Sequence, residues 1–293
     1  MKIILTTLQV LFISPLLFAL NVNAENTTET NKWRTVPADT LMVMSIDYGD
    51  KQAPVVFELA QQFAPKHVAH FTELAKQGHY DNSKFYRVID GFVAQAGPEQ
   101  SETEQKKAKT LAMESEWSFD KSPSFSVVQQ QDLFAELTGI SNGFAIAASK
   151  QENKAWLAHC PGVLAMARGN DKDSATSHFY ITNGQAPRYL DRIMTIFGRV
   201  VYGMNHVQAI TRTAVIDGDT PVSEDSYTKI TSMTLMSDLP KTQQFSIQVE
   251  NTESKAFAKK LDDRRARNHE FFYRKPPQVL DVCQVPVQSR IVR

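Results

Sequence analysis

Short apolar segments rich in β-forming residues recur along this chain and are separated by turn signals. Residues 41–49 and 53–60 flank a turn signal at Gly49-Asp50-Lys51 and predict a β-hairpin. Residues 84–97 predict a strand, a turn and a second strand. Further strand-like segments are residues 161–168, 177–183, 193–201, 229–237 and 245–251. Many strands with few helices predict a closed barrel or a sandwich.

The clearest helix pattern begins at Pro65, a residue type that suits the first position of a helix. Apolar residues then recur at helical spacing and form one stripe: Val68, Phe71, Leu74 and Ala75. Gly78 is placed to end this helix. Residues 204–211 begin a second helix, and the charged residues 253–270 predict another, in which Phe257 and Leu261 share one face.

Residues from about 98 to 160 lack a clear period, which indicates a long insertion with a small structure of its own. Within it, residues 132–137 predict a short helix and residues 140–149 predict a strand. Near the end of the chain, residues 275–287 predict an extended segment punctuated by proline.

Composition and charge exclude several classes of protein. The chain has 293 residues, of which 42% are hydrophobic and 22% charged, values that exclude general disorder, collagen and a pure coiled coil. Its 32 Lys and Arg balance 32 Asp and Glu. Because nucleic acids and anionic membrane surfaces attract concentrated positive charge, this balance argues against either as the main partner.

The N-terminal segment has the pattern of a secretory signal peptide. Lys2 precedes an apolar stretch at residues 3–20, and Val22 and Ala24 form a small-residue cleavage site. The alternative is an uncleaved membrane anchor, but polar interruptions and the polar residues 25–31 favour cleavage after Ala24. We therefore expect an exported protein without stable membrane insertion after cleavage.

The two cysteines, Cys160 and Cys283, admit one pairing, and an exported compartment favours a disulfide between them. The alternatives are two separate buried thiols or, because His159 adjoins Cys160, a Cys–His nucleophile. His67 and His70 have a spacing that suits a metal, but no further ligand completes a recognised site, so no metal is predicted.

Three long motifs give the sequence a specific resemblance. They are FYRVIDGFVAQAG at residues 85–97, PGVLAMARGNDKDSATSHFYIT at 161–182 and YLDRIMTIFGRVVYGM at 189–204. Together they resemble the cyclophilin family of peptidyl-prolyl cis–trans isomerases, especially its exported bacterial members. The likeness to bacterial members implies that the exported protein is periplasmic. The resemblance runs from about Leu41 to Leu235, excluding the insertion.

The resemblance implies a mainly β fold: a closed, eight-stranded antiparallel barrel capped by two α-helices. This domain is expected at residues 39–238, after a signal peptide at 1–24 and a leader at 25–38. Residues 239–293 would then form a C-terminal extension with helical and extended parts.

The resemblance also implies the site. Arg87 matches the catalytic arginine of the family, and Gln95 matches the glutamine that orients the substrate and supports that arginine. The matching substrate-binding positions are Phe92, Val93, Ala167, Arg168, His178, Tyr180, Tyr189, Leu190 and Met194.

Several of these positions depart from the family pattern. Val93 replaces a usual methionine, Met194 a histidine of many eukaryotic members, and Tyr189 a frequent tryptophan or phenylalanine, and all three keep the groove lined. His178 replaces a common glutamine and so changes a hydrogen-bonding group at the edge of the groove. The insertion is expected to shape the groove or partly cover it.

The implied function is acceleration of X–Pro isomerisation during the folding of exported proteins. Its partners would be proline-containing segments of unfolded or partly folded exported proteins, and we expect a monomer. Rotation about an amide makes no bond to carbon, so no nucleophile, metal or cofactor is required. The alternative is a catalytically weak chaperone or assembly module that binds proline peptides in the same groove.

Overall fold

A computed structural model describes residues 32–49, 51–99, 101–119, 125–213 and 223–292. The predicted signal peptide and the first half of the predicted leader lie outside these residues.

The chain alternates many short strands with few helices. In chain order the strands are β1 (Trp33–Thr35), β2 (Leu41–Asp47), β3 (Gln52–Leu59), β4 (Lys84–Ile89), β5 (Val93–Gly97), β6 (Trp117–Ser118), β7 (Ser126–Gln130), β8 (Leu137–Ser141), β9 (Phe144–Ser149), β10 (Lys154–Leu157), β11 (Val163–Met166), β12 (Phe179–Thr182), β13 (Ile196–Tyr202), β14 (Lys229–Leu235), β15 (Ser246–Glu250) and β16 (Ser289–Val292). The α-helices are α1 (Pro65–Lys76), α2 (Glu102–Lys107), α3 (Met204–Gln208) and α4 (Lys255–Ala266).

Eight strands close into an antiparallel barrel in the order β11-β12-β5-β4-β14-β2-β3-β13. The predicted hairpin forms β2 and β3, paired from Leu41 with Glu58 to Asp47 with Gln52. The predicted strand–turn–strand forms β4 and β5. The closed barrel expected from the resemblance is therefore confirmed.

The barrel interior is filled by aromatic and branched side chains. Phe57, Phe85, Phe179 and Phe197 are fully buried there, and α1 adds Phe71 to the same cluster. Helix α1 begins at Pro65 and buries the apolar stripe that the sequence predicted, with the exception of Leu74, which is partly buried. Because alternate strand residues point to opposite faces, this packing leaves the other residues of β4, β5 and β12 on the outside of the barrel.

The insertion folds into a five-stranded sheet in the order β6-β10-β9-β8-β7. The strand predicted at residues 140–149 is wrong in its bounds: β9 covers Phe144–Ser149, whereas Asn142 and Gly143 both adopt positive φ and turn the chain after β8. The short helix predicted at residues 132–137 is also wrong. The Asp132 carboxylate accepts a bond from the Phe134 amide at 3.0 Å, and this local turn competes with a helix.

The C-terminal extension packs on the barrel and on the insertion. Strand β15 pairs with β1 on one side and with β16 on the other in a third sheet. Helix α4 is capped by Ser254 and buries Phe257 and Leu261, as their spacing predicted. Its hydrophobic contacts join the insertion sheet and the outer face of the barrel in one cluster.

Cys160 and Cys283 form a disulfide with their Cα atoms 4.9 Å apart, which links the end of the insertion to the C-terminal extension. A Cys–His nucleophile at Cys160 is thereby excluded. Among the described residues, no helix has the length and apolar character that crossing a membrane requires.

Candidate active site

The register of three neighbouring barrel strands brings the two predicted catalytic residues together. Arg87 on β4 is paired with Gln95 on β5, and Gln95 is paired in turn with Tyr180 on β12. All three side chains lie on the outside of the barrel, where Arg87 is exposed and Tyr180 is buried in a hydrophobic cluster shared with the insertion and the extension. The row forms the base of a groove.

A β-bulge in β4 changes which residues face this groove. The register of β4 against β5 shifts between Phe85 and Arg87, so Tyr86 is the extra residue. Both Tyr86 and Arg87 are exposed, whereas regular alternation would place them on opposite faces. Bulges often redirect side chains beside active sites in this way.

A line of hydrogen bonds crosses the groove. Arg87 Nη1 donates to Gln95 Oε1 at 3.3 Å, and Gln95 Nε2 donates to the Tyr86 hydroxyl at 2.6 Å. The Tyr86 hydroxyl lies 2.9 Å from His178 Nδ1. A guanidinium carries five N–H donors, so its bond to Gln95 leaves donors for a bound peptide.

Apolar and aromatic side chains line the groove beside Arg87. The Arg87 guanidinium lies over the Phe92 ring at 5.6 Å, and the Phe92 and Tyr189 rings stack with centroids 6.4 Å apart. Val93 and Tyr180 are buried in the floor. The remaining apolar groups at this side are only partly buried: Phe92, Ala167, Leu190 and Met194. Such a cup suits a small uncharged ring.

The Arg168 side chain holds the loop that carries Met194. Its guanidinium donates to the Ile193 carbonyl at 3.0 and 2.9 Å, next to Met194 in sequence. The Ala167 amide donates to the His178 carbonyl at 2.9 Å, which continues the β11–β12 pairing towards the groove. The strand end and the loop that carries Met194 are thus held together.

A buried polar network supports the floor. His159 Nδ1 lies 3.0 Å from Asp191 Oδ1, and His159 Nε2 lies 3.0 Å from the Tyr180 hydroxyl. Arg188 Nε donates to Asp191 Oδ2 at 2.6 Å. Burial raises the pKa of Asp191, but the hydrogen bonds from His159 and the charge of Arg188 outweigh it and leave the pKa below its usual value. Burial and the Asp191 charge raise the pKa of Tyr180.

Residues 42–235 match the family described as cyclophilin type peptidyl-prolyl cis-trans isomerase/CLD. That match covers well over half of the chain. The chain belongs to the cyclophilin family.

The chain is similar to proteins of different lengths. This cyclophilin is 29% identical over 181 residues to a probable peptidyl-prolyl cis-trans isomerase of Brucella suis, covering 62% of the chain and 78% of the relative. It is 30% identical to the isomerase cypE of Dictyostelium discoideum, covering 61% and 90%. The crystal structure of cyclophilin AquaCyp293 from Hirschia baltica aligns with a TM-score of 0.71 and 26% identity, covering 93% of this chain and 98% of that one. The last match therefore extends to the insertion and the extension.

The residues that the sequence singled out lie together in this cyclophilin, apart from the disulfide, which lies behind the floor. Sequence reasoning missed Tyr86, Arg188 and Asp191. It considered His159 only as a partner of Cys160 and missed its contacts with Asp191 and Tyr180. The bulge that turns Tyr86 into the groove leaves no signal in the pattern of the strand. Asp191 adjoins the motif residue Leu190, but its partner His159 lies far away in sequence.

The insertion supports the groove rather than covering it. Arg87 and Tyr189 remain exposed, Tyr189 by 66% of its surface. The two histidines with metal-like spacing have separate partners, since His67 Nδ1 bonds Glu114 and His70 Nε2 bonds the Thr176 carbonyl. Within the ranges that the structure describes, no group of three or more His, Cys, Asp or Glu is arranged to hold a metal.

Proposed function

We propose that this cyclophilin accelerates X–Pro isomerisation in unfolded or partly folded exported proteins, with Arg87 as the catalytic residue. The observation that carries the proposal is the exposed Arg87 guanidinium beside the Phe92–Tyr189 wall, held by Gln95. The site thus places a polar donor directly beside an apolar cup, which suits proline because its amide nitrogen is a member of its apolar ring.

The physical task is to weaken amide resonance. Rotation about a peptide bond has a barrier of about 18–20 kcal/mol because the nitrogen lone pair is shared with the carbonyl. In the twisted amide that lone pair becomes localised on nitrogen and accepts a hydrogen bond. A donor that binds this nitrogen more strongly in the twisted state lowers the barrier, since only such differential binding accelerates a reaction. Arg87 would supply that donor.

The remaining groove residues would hold the substrate. Phe92, Val93 and Tyr180 would receive the proline ring, while Leu190 and Met194 would close the side of the cup. Gln95 would orient the peptide backbone and keep Arg87 in place. Ala167 and Arg168 would contact the peptide through their backbone groups.

Two features support an exported setting. The N-terminal pattern ends in a small-residue cleavage site at Ala24. The Cys160–Cys283 disulfide suits an oxidising compartment, because such bonds rarely persist in a reducing cytosol. The periplasmic assignment is tested by expressing the full chain in a bacterium, fractionating the cells and determining the mature N-terminus. A periplasmic protein that begins at Glu25 is expected, and a full-length cytosolic protein would contradict the assignment.

The function is tested by comparing the wild type with Arg87→Ala in an assay of X–Pro isomerisation. We expect kcat/KM to fall on the order of 100-fold, equal to about 2.7 kcal/mol, as for the loss of one preorganised donor. Arg274→Ala removes an exposed arginine in the extension and serves as the matched control. An Arg87→Ala variant as active as the control would show that the catalytic assignment is wrong.

The same experiment separates the enzyme from the binding module. The binding module predicts a folded wild type whose rate equals the spontaneous one, together with saturable binding of a proline peptide. The isomerase predicts a rate far above the spontaneous one and a variant that still binds the peptide.

A further inference from the structure

The line of hydrogen bonds from Arg87 ends on a titratable group, His178. Each member of the line up to the Tyr86 oxygen has a defined role as donor or acceptor, whereas the role of His178 depends on its tautomer. Gln95 uses Oε1 to accept from Arg87, so its Nε2 is the group that donates to the Tyr86 hydroxyl. The Tyr86 oxygen is then an acceptor, and its own proton is available to His178 Nδ1 at 2.9 Å.

This arrangement requires a particular form of His178. Nδ1 accepts a bond only when it carries no proton, which is the neutral imidazole with hydrogen on Nε2. All the bonds then run in one direction, from Arg87 through Gln95 and Tyr86 to His178.

Local backbone features fix the pair at the end of the line. The bulge at Tyr86 directs its ring to the groove, where it meets the His178 ring edge to face with centroids 5.5 Å apart. Gly97 on β5 lies directly against the imidazole, since a Cβ at this position would collide with Nδ1 of His178. The histidine therefore lies close against the backbone of the strand that carries Gln95.

We propose that Tyr86 and His178 are positioning residues for the catalytic arginine, and that isomerase activity requires neutral His178. The inference rests on the proposed function of Arg87. When His178 is protonated, its Nδ1–H and the Tyr86 hydroxyl proton face each other. Tyr86 must then turn its proton away and accept from both Gln95 and His178, which weakens the support of Gln95 and hence of Arg87.

The surroundings favour the neutral ring at neutral pH. Burial lowers the pKa of His178, and nearby His79 lowers it further. Besides Tyr86 on β4 and His79 after α1, the charged groups on this side line a cavity of about 870 Å³: Asp81, Lys84, Glu99 and Glu224. Lys84 Nζ lies 3.8 Å from Glu99 Oε1 and 3.6 Å from Glu224 Oε2. Activity is thus expected to fall as pH drops below the usual histidine range.

The test uses an assay without protease, such as NMR exchange on a short X–Pro peptide, from pH 4.5 to 8. The wild type is expected to lose activity at acid pH along a single titration. His178→Gln keeps an acceptor for Tyr86 but does not titrate, so its ratio of kcat/KM between pH 7.5 and 5 is expected to be about one. His178→Ala lacks the acceptor, and we expect it to be at least threefold less active than His178→Gln at pH 7.5.

Tyr86→Phe tests the middle of the line. It removes the acceptor for Gln95 and is expected to lower kcat/KM three- to tenfold at pH 7.5, mainly through kcat, and to abolish the acid loss. His79→Gln is the control, because it keeps the acid loss and moves its midpoint to higher pH by removing a like charge. Thermal unfolding of each variant verifies that it is folded.

Defined outcomes overturn the inference. They are a flat wild-type profile, an acid loss that persists in His178→Gln, or a Tyr86→Phe variant as active as the wild type. A wild type without catalysis at any pH would instead overturn the proposed function, so the two failures are distinguishable.

Discussion

The buried side chain of His159 connects the charge of Asp191 to the hydroxyl of Tyr180. An ionised carboxylate only accepts hydrogen bonds, so His159 donates to Asp191 through Nδ1 and accepts from Tyr180 through Nε2. Tyr180 is only 4% exposed, and a buried hydroxyl without a partner costs roughly 1–3 kcal/mol. The aromatic floor of the groove therefore depends on a histidine outside the groove.

A double-mutant cycle tests this dependence. We expect His159→Leu to lower the free energy of unfolding by about 2–3 kcal/mol, because it strands the Tyr180 hydroxyl and removes the imidazole donor from Asp191 Oδ1, which keeps the backbone amide of residue 159. In the Tyr180→Phe background the same change is expected to cost about 1 kcal/mol less, since no hydroxyl remains to be stranded. Urea unfolding at pH 7.5 measures all four proteins. Additive effects would show that the two side chains are not coupled.

At the scale of elements, the sequence predicted what repeats over several residues. The hairpin of β2 and β3 and the apolar stripe of α1 follow from periodic packing and are confirmed. The bulge at Tyr86 and the turn at Asn142 depend on the backbone conformation of one or two residues. The spacing of apolar residues along the chain therefore does not predict them. The site residues were found through motif resemblance, whereas the contact between His159 and Tyr180 depends on how distant elements pack.

The insertion contacts the loop that carries the groove residues Tyr189 and Leu190. Asp132 lies 3.4 Å from Arg188, and Phe134 lies beneath the same guanidinium at 5.2 Å. From strand β10 of the insertion, the Trp156 indole donates to Asp191 Oδ2 at 3.3 Å. Tyr189 and Leu190 lie between Arg188 and Asp191. The insertion thus fixes one wall of the groove from both ends.

The dependence of protein stability on acid pH tests the contacts that Asp191 makes with Arg188 and Trp156. The folded-state pKa of Asp191 lies below its unfolded value of about 3.9, so its stabilising contribution is complete above that value and is lost as pH falls through the folded pKa. We expect Asp191→Asn to be less stable than the wild type by about 2–4 kcal/mol at pH 7 and the difference to shrink below pH 4. Urea unfolding at both pH values measures this.

The matched control is Asp263→Asn, which breaks an exposed ion pair with Lys259 on α4. Exposed pairs contribute little, so its stability is expected to change by less than about 0.5 kcal/mol. If the difference in the free energy of unfolding between Asp191→Asn and the wild type does not depend on pH, the stabilisation does not come from the negative charge of Asp191.

At the scale of the whole molecule, one hydrophobic cluster joins three parts of the chain. It contains Val93 and Tyr180 from the floor of the groove, Ile146 and Leu157 from the insertion, and Phe257 from the extension. The groove of this cyclophilin is therefore built on a core that the compact barrel alone does not supply. Because these side chains pack together, we expect a loss of packing in the extension to destabilise the floor of the groove as well.

The disulfide is the covalent link within that core. It joins residues separated by 123 positions, and in the chain-entropy model a loop of this length stabilises the fold by about 5 kcal/mol. We expect the double variant Cys160→Ser and Cys283→Ser to lose stability of this order in urea unfolding. Reductant is expected to destabilise the wild type but not the double variant, and equal stability of the two proteins would contradict the prediction.

Because the Cys160 carbonyl accepts a bond from Thr182 on β12, two residues beyond Tyr180, we also expect reduction to raise KM for a proline peptide more than it lowers kcat.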